Sequence, residues 1–236
     1  MLLMAFETSA KAASVALFSE NGLLASNYQN NGVTHSQTLL VMAQQLLQNC
    51  GYAPGQVTHL AVAAGPGSFT GVRIGVAAAK GFAWGAELPL YGVSTLEAMA
   101  MGAGVTDGYV CCCMDARRSQ VYNALFEAKH GNLTRVSEDR AIALADLRPE
   151  LEKLEKPIFL VGDGAALCYN TLGADLQQLV LLPEHHRQQR AEGVGLAALQ
   201  QIAAGEPGCA GSLTPNYLRL SQAERERLEK ERNQTK

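Results

Sequence analysis

The sequence lacks an excess of basic residues: 19 Lys and Arg stand against 22 Asp and Glu, a net charge of −3 over 236 residues. That balance excludes a chain that grips RNA or DNA by its own charge, because phosphate binding needs a concentrated positive surface. No run approaches the ~18 consecutive apolar residues of a membrane span. The opening stretch MLLMAFETSAKAASVALF has no basic leader, and Glu7 interrupts it, so no targeting segment is expected there. No C-x-x-C occurs among the six cysteines. Three of them, Cys111, Cys112 and Cys113, are consecutive, and neighbours in a strand point to opposite faces, which excludes a compact metal knot or an easy disulfide. Small buried thiols in a reducing, cytoplasmic compartment are expected. Neither a Walker Gly-Lys-Ser/Thr nor a G-x-G-x-x-G is present, which removes the two commonest nucleotide-loop signatures.

What is present is a pattern stated twice. MAFETSAKAASVALF (4–18) aligns with CCMDARRSQVYNALF (112–126) at a constant offset of 108 residues, pairing Glu7 with Asp115, Leu17 with Leu125 and Phe18 with Phe126. A carboxylate ends each first strand, and an alternating second strand leads to a third. In the first half, strands at 2–7, 12–18 and 22–28 form an antiparallel meander. A helix follows over 35–50, with Thr34-x-x-Gln37 as a capping box and Gly51 as its stop. Then come a buried strand at 59–64, a helix of small residues over 70–85, a strand at 89–93 and a helix from Thr95. The second half reads as strands at 109–116, 119–127 and 132–136, a helix near 145–154, the strand 157–162, a helix near 165–172 and a last helix near 192–204. Two β-β-β-α-β-α units predict an α/β protein with two mixed-sheet lobes. That is the plan of the duplicated actin, Hsp70 and sugar-kinase (ASKHA, ribonuclease H-like) superfamily. The Gly-rich MGAGVTDG (101–108) sets the expected boundary, with an amino-terminal lobe at 1–104. A smaller, degenerate lobe spans 105–236 and ends in a charged helical tail.

The stretch AAGPGSFTGVRIGVAAAKGFAWG (63–85) carries the functional question. Gly65, Gly67 and Gly71 let backbone amides approach an anion at a helix N-terminus; Ser68 and Thr70 add hydroxyls, and Arg73 lies one turn in. The same residues equally describe a turn, with Ser68 or Thr70 capping the helix. Within the helix, Gly75 and Gly81 each cost ~0.8–1 kcal/mol relative to alanine, so close approach by another backbone is expected. A helix this apolar has more than one face to bury.

The segments ETSAKAASVAL, NNGVTHSQTLL, AAGPGSFTGVRIG, AAAKGFAWG, PLYGVSTLEAMA and DARRSQVYNALF, in this order, closely resemble the TsaB (YeaZ) family of the bacterial tRNA threonylcarbamoyladenosine pathway. The resemblance covers essentially the whole chain and is densest in the first 126 residues. It implies a noncatalytic subunit that pairs with the paralogous catalytic subunit TsaD and helps recruit the ATPase TsaE. The threonylcarbamoyl group goes to the adenosine beside the anticodon in tRNAs reading codons that begin with A. Contact with tRNA comes only through the complex, and no cofactor is implied.

Where TsaD carries a metal-binding H-x-x-x-H, this sequence has Thr95 and Met99. A hydroxyl and a thioether do not replace imidazoles, so no metal site is expected. The resemblance also assigns helices 35–50 and 70–85 to a bundle with the matching pair of TsaD, or to a homodimer when the chain is alone. Leu39, Met42, Leu46, Val72, Gly75, Val76, Ala79 and Phe82 are its expected contacts. The competing expectation is a self-sufficient ATPase or phosphotransferase built on Glu7, Asp115 and the GPGSFTG turn, with VGDGAA (161–166) as its second phosphate loop.

Overall fold

The computed structural model describes residues 1–219. The first sheet opens with the meander β1 (Leu2–Glu7), β2 (Ala13–Ser19) and β3 (Gly22–Gln29). After α1 (His35–Asn49), β4 (His59–Gly65) joins β1 in parallel; α2 (Phe69–Ala86) then crosses over to β5 (Leu90–Ser94). The strand order is β3-β2-β1-β4-β5. A helix α3 (Thr95–Gly102) leads into the second sheet, formed by β6 (Asp107–Asp115), β7 (Gln120–Lys129), β8 (Asn132–Arg135), β9 (Arg140–Ala143), β10 (Ile158–Val161) and β11 (Leu179–Leu181). Helices α4 (Leu144–Leu151) and α5 (Ala165–Leu172) lie between its strands in sequence, and α6 (Glu184–Arg187) and α7 (Ala191–Ala203) follow.

The second sheet runs β11-β10-β6-β7-β8, with β9 also paired to β7. Replacing β3, β2, β1, β4 and β5 by β8, β7, β6, β10 and β11 reproduces the first order. Each sheet has antiparallel pairing on one side of its first strand and parallel pairing on the other. The repeat seen in the sequence is therefore a repeat of topology.

Both faces of β1 are covered, which is why LLMAFE shows no alternation. On one face Met4, Phe6, Leu17, Leu60 and Val62 meet α1 and α2 through Leu39, Met42, Leu46, Val72 and Val76. On the other, Leu3, Ala5, Phe18, Ala61 and Val93 meet α7 through Val194, Ala197 and Ala198. In the second lobe Cys111, Cys113, Val121 and Leu125 pack with α4 and α5, while Val110, Cys112, Met114 and Phe126 face Leu96, Met99 and Ala100 of α3.

These contacts correct the expected domain boundary. The chain after residue 190 does not stay with the second lobe: α7 is the cover for the back of the first sheet, because its apolar side chains match an otherwise bare face. The segment after α7 also returns to the first lobe. The Cys209 amide donates to the Leu90 carbonyl at 2.8 Å, and Leu213 is buried in the core under α2. Lys80 Nζ donates to the carbonyls of Gly211 and Leu213 at 3.2 and 3.0 Å. The Asn216 amide donates to the Ala64 carbonyl at 2.7 Å. Residues 206–219 thus form a strap beside α2, over the β4–β5 side of the sheet, while α1 lies over the β2 side.

Two local expectations also change. The capping box at Thr34 does not form; the Gln37 amide bonds to the Thr34 carbonyl instead, and the His35 ring Nε2 anchors the helix start to the Ala10 carbonyl at 2.9 Å. Strands β9 and β11 and helix α6, which carries His185 and His186, lie in stretches without a predicted element. The charged tail expected to be helical lies beyond residue 219, outside the described residues.

Candidate partner face and interlobe cleft

The Gly-rich turn between β4 and α2 is filled by the chain itself. Gly65 has φ +110°, and a Cβ there would stand 2.5 Å from the Asn216 carbonyl oxygen of the strap. A Cβ on Gly67 would stand 2.6 Å from the Ser9 carbonyl oxygen, and the Ser68 amide donates to that same carbonyl at 2.7 Å. Gly71 and Gly75 abut Thr8, whose hydroxyl donates to the Gly71 carbonyl at 2.8 Å. Ser68 caps α2 by accepting from the Gly71 amide, and Thr70 is exposed. Arg73 does not turn toward the loop amides; its guanidinium stacks 3.9 Å above the Phe69 ring, and Nε donates to Tyr217 Oη at 2.8 Å. The glycines expected to admit an anion instead admit Thr8, Ser9 and Asn216.

The expected contact residues need a parallel correction. Leu39, Met42, Leu46, Val72, Val76 and Ala79 are buried against the chain's own first sheet, Gly75 against Thr8, and Phe82 is half-buried on the same core. They face inward because the widest apolar stripe of each helix is spent on β1, β2 and β4. The outward strip is a different set. On α1 it carries Leu40 and Val41, 55% and 50% exposed; on α2 it carries Ala77, Gly81 and Trp84, with Trp84 86% exposed. Nothing in the described residues lies within 4 Å of a Cβ built on Gly81, so its lack of a side chain serves no packing among them. A second apolar phase on α1, at residues 40 and 41, was the signal available in the sequence. Tyr217 had no such signal, since only the folded strap brings it to α2.

Between the lobes, carboxylates gather at the ends of equivalent strands. Glu7 is fully buried at the end of β1; Oε1 accepts from the Ser9 amide, and Oε2 has no hydrogen-bond partner among the described residues. Burial pushes its pKa up to about 7, and the like charge of Asp163 adds to the rise. Asp163, just after β10, accepts from Gln189 Nε2 at 3.0 Å; its pKa is also raised, by burial first and Asp115 less. Asp115 is exposed and accepts from the Arg117 amide at 2.7 Å. The VGDGAA turn is packed like the first: Gly162 abuts the Cys113 carbonyl, and the Gly164 amide donates to it at 3.0 Å.

Thr95 and Met99 both lie buried on α3, with Met99 in the second-lobe core. An open pocket of about 350 Å³ borders Met99, with His185, His186 and Arg190 on its rim. Among the described residues no group of three or more His, Cys, Asp or Glu is placed to hold a metal ion. The cysteine triplet is buried as expected: Cys111 and Cys113 face the α5 side and Cys112 faces α3, its thiol donating to the Leu96 carbonyl. Cys50 is half-buried and Cys209 exposed, so burial does not extend to all six.

Two sheets of equivalent strand order, each with a carboxylate at the end of its first strand (Glu7 and Asp115), define a duplicated α/β protein of the ASKHA class. Comparison with known proteins narrows this. The family described as "TsaD: tRNA N6-adenosine threonylcarbamoyltransferase" matches residues 29–226. The tRNA threonylcarbamoyladenosine biosynthesis protein TsaB of Bacillus subtilis is 32% identical over 236 residues, covering 98% of this chain and 100% of that protein. TsaB of Escherichia coli is 34% identical, covering 93% of this chain and 95% of that protein. The solved structure of YeaZ from Pseudomonas aeruginosa superposes with a TM-score of 0.72 at 28% identity, covering 92% of this chain and 99% of that one. The chain belongs to the TsaB (YeaZ) family, within the wider TsaD group.

Proposed function

We propose that this protein is a noncatalytic subunit in the formation of threonylcarbamoyladenosine on tRNA. It dimerises with a TsaD-like catalytic subunit and helps recruit a TsaE-like ATPase. The observation that carries this reading is the outward strip of α1 and α2. Leu40, Val41 and Trp84 expose large apolar surface beside Ala77 and Gly81, a combination that lets another helix pair approach closely while burying an aromatic anchor. An ordinary interface of roughly 1,600 Å² in total is well matched to two such helices. The net charge of −3 supports leaving tRNA phosphates to the partners. When alone, the protein uses the same strip to form a homodimer.

The noncatalytic part of the reading is supported by the packing of both Gly-rich turns against the chain's own backbone and by the burial of Thr95 and Met99, the latter in the second-lobe core. A second reading, an ATPase of this chain alone, draws on Glu7, whose buried Oε2 lacks a partner. Calorimetry with ATP and magnesium separates the two: micromolar binding with turnover by the purified chain replaces the proposal. The direct test mixes the protein with its TsaD-like subunit and measures the mass of what forms. A one-to-one complex is expected, and two unassociated species reject the reading.

A further inference from the structure

Arg73 is held unusually firmly for an exposed side chain. Its guanidinium lies 3.9 Å from the centre of the Phe69 ring; Phe69 and Tyr217 stack with centroids 4.6 Å apart; and Nε is committed to Tyr217 Oη at 2.8 Å. The two partners come from distant parts of the sequence, Phe69 from the start of α2 and Tyr217 from the strap. No carboxylate lies within 4.0 Å of the guanidinium among the described residues, whereas Arg140 and Arg190 each have one and Arg135 and Arg148 each have two. Among the described residues both Nη atoms of Arg73 remain uncommitted, in a plane oriented by the Phe69 stack and the Tyr217 hydroxyl. A guanidinium fixed in this way loses little freedom on accepting a carboxylate across both nitrogens.

Its position gives that group a context. Counting along α2, exposed Arg73 continues the strip Ala77, Gly81 and Trp84 at helical spacing. The strap runs antiparallel to α2 on the side away from α1, with Lys80 holding Gly211 and Leu213 and Arg73 holding Tyr217. The outward face thus has α1 along one side and the strap along the other.

We propose that the strap is a third element of the subunit interface and that Arg73, positioned by Tyr217 and Phe69, is its charged anchor, receiving a carboxylate side chain of the docked TsaD-like subunit. This rests on the proposed pairing of the two subunits. It adds an electrostatic contact at the α2 N-terminal end, opposite the apolar anchor Trp84. Tyr217 is a positioning residue, since its hydroxyl aims the guanidinium without meeting the partner's carboxylate.

The test measures affinity of the full-length protein for the TsaD-like subunit at low and high salt. Leu40→Asp serves as a control for the apolar face. Arg73→Gln is expected to weaken pairing by about tenfold or more at low salt and to flatten its salt dependence. Tyr217→Phe, which keeps the stacked ring and removes the hydroxyl, is expected to lose about threefold. If Arg73→Gln unfolds the protein, Arg73→Lys takes its place and is expected to lose affinity while retaining salt dependence, since the charge stays and the fork is gone. Wild-type affinity and salt dependence in the folded Arg73 variant, with Leu40→Asp still disrupting pairing, overturn the anchor and leave the proposed face standing. Normal pairing by Leu40→Asp as well removes both. Unchanged pairing with weaker tRNA binding by the assembled complex assigns the guanidinium to phosphate and overturns the proposal in favour of RNA.

Discussion

The Thr8 hydroxyl donates to the Gly71 carbonyl at 2.8 Å, tying the β1–β2 turn to the first turn of α2. The bond is possible because α2 carries glycine at 71 and 75, where a Cβ would meet Thr8. Glycines that resemble a partner surface are thus an intramolecular contact. This separates the glycines of α2 into two kinds with opposite expected behaviour.

Gly75→Ala should destabilise the fold by about 1–3 kcal/mol, through overpacking against Thr8 and loss of its bond to Gly71. Gly81→Ala, with open space around it, should stabilise the isolated chain by about 0.5–1 kcal/mol, through helix propensity. Thermal unfolding of the two variants checks both signs, the second as a rise of roughly 1–4 °C. Equal effects would show that Thr8 yields at no cost.

Trp84→Ala and Gly81→Leu should leave the monomer folded, with an unfolding temperature under dilute, monomeric conditions no lower than that of the parent, and weaken association with the TsaD-like subunit. The first removes an exposed aromatic side chain and the second blocks close helix approach. A loss of about tenfold or more is expected for each, read by titration or by mass. Association at parental strength would move the interface away from α2.

Stability should fall as pH rises from about 4.5 to about 7. Glu7 has its folded pKa raised to about 7, so in this window the folded state holds a proton that the unfolded state releases. The stabilisation is complete below the unfolded value, declines through the window and is gone above the folded value. The full excursion is on the order of 3 kcal/mol. Asp163, also raised, acts in the same direction. Denaturant unfolding between pH 4.5 and 8 measures the slope, and Glu7→Gln should flatten most of it; an unchanged slope would place the titration elsewhere.

Asp163→Ala should leave the modification activity of the assembled system nearly unchanged, because the group's visible partner is Gln189 within this chain. A large drop in threonylcarbamoyladenosine yield, with the complex still formed, would place chemistry in this cleft.

Much of the architecture was legible beforehand. The alignment of Glu7 with Asp115 marks strands β1 and β6, which hold equivalent places in their sheets. The strands and long helices lie within a few residues of their expected bounds, since alternation, Gly stops and small-residue runs are local signals. The site was less legible. Leu39, Met42, Val72 and Val76 were expected to meet a partner and instead meet the sheet, because an apolar side chain reads the same whichever neighbour buries it. The Gly65 turn fits an anion loop in sequence, but its occupant, Asn216, lies about 150 residues away.

What the sequence determined by itself was a duplicated α/β plan, two conspicuous helices in the first half and a chain without the charge to hold nucleic acid unaided. Local periodicity and composition carry that information residue by residue. Only the tertiary structure decided which side of those helices stays open, that α7 and the strap return to the first lobe, and that Phe69, Arg73 and Tyr217 form one cluster. Each of those depends on contacts between segments far apart in the chain. Their pairing is selected by the fit of backbone and apolar surface in three dimensions, which no local pattern encodes.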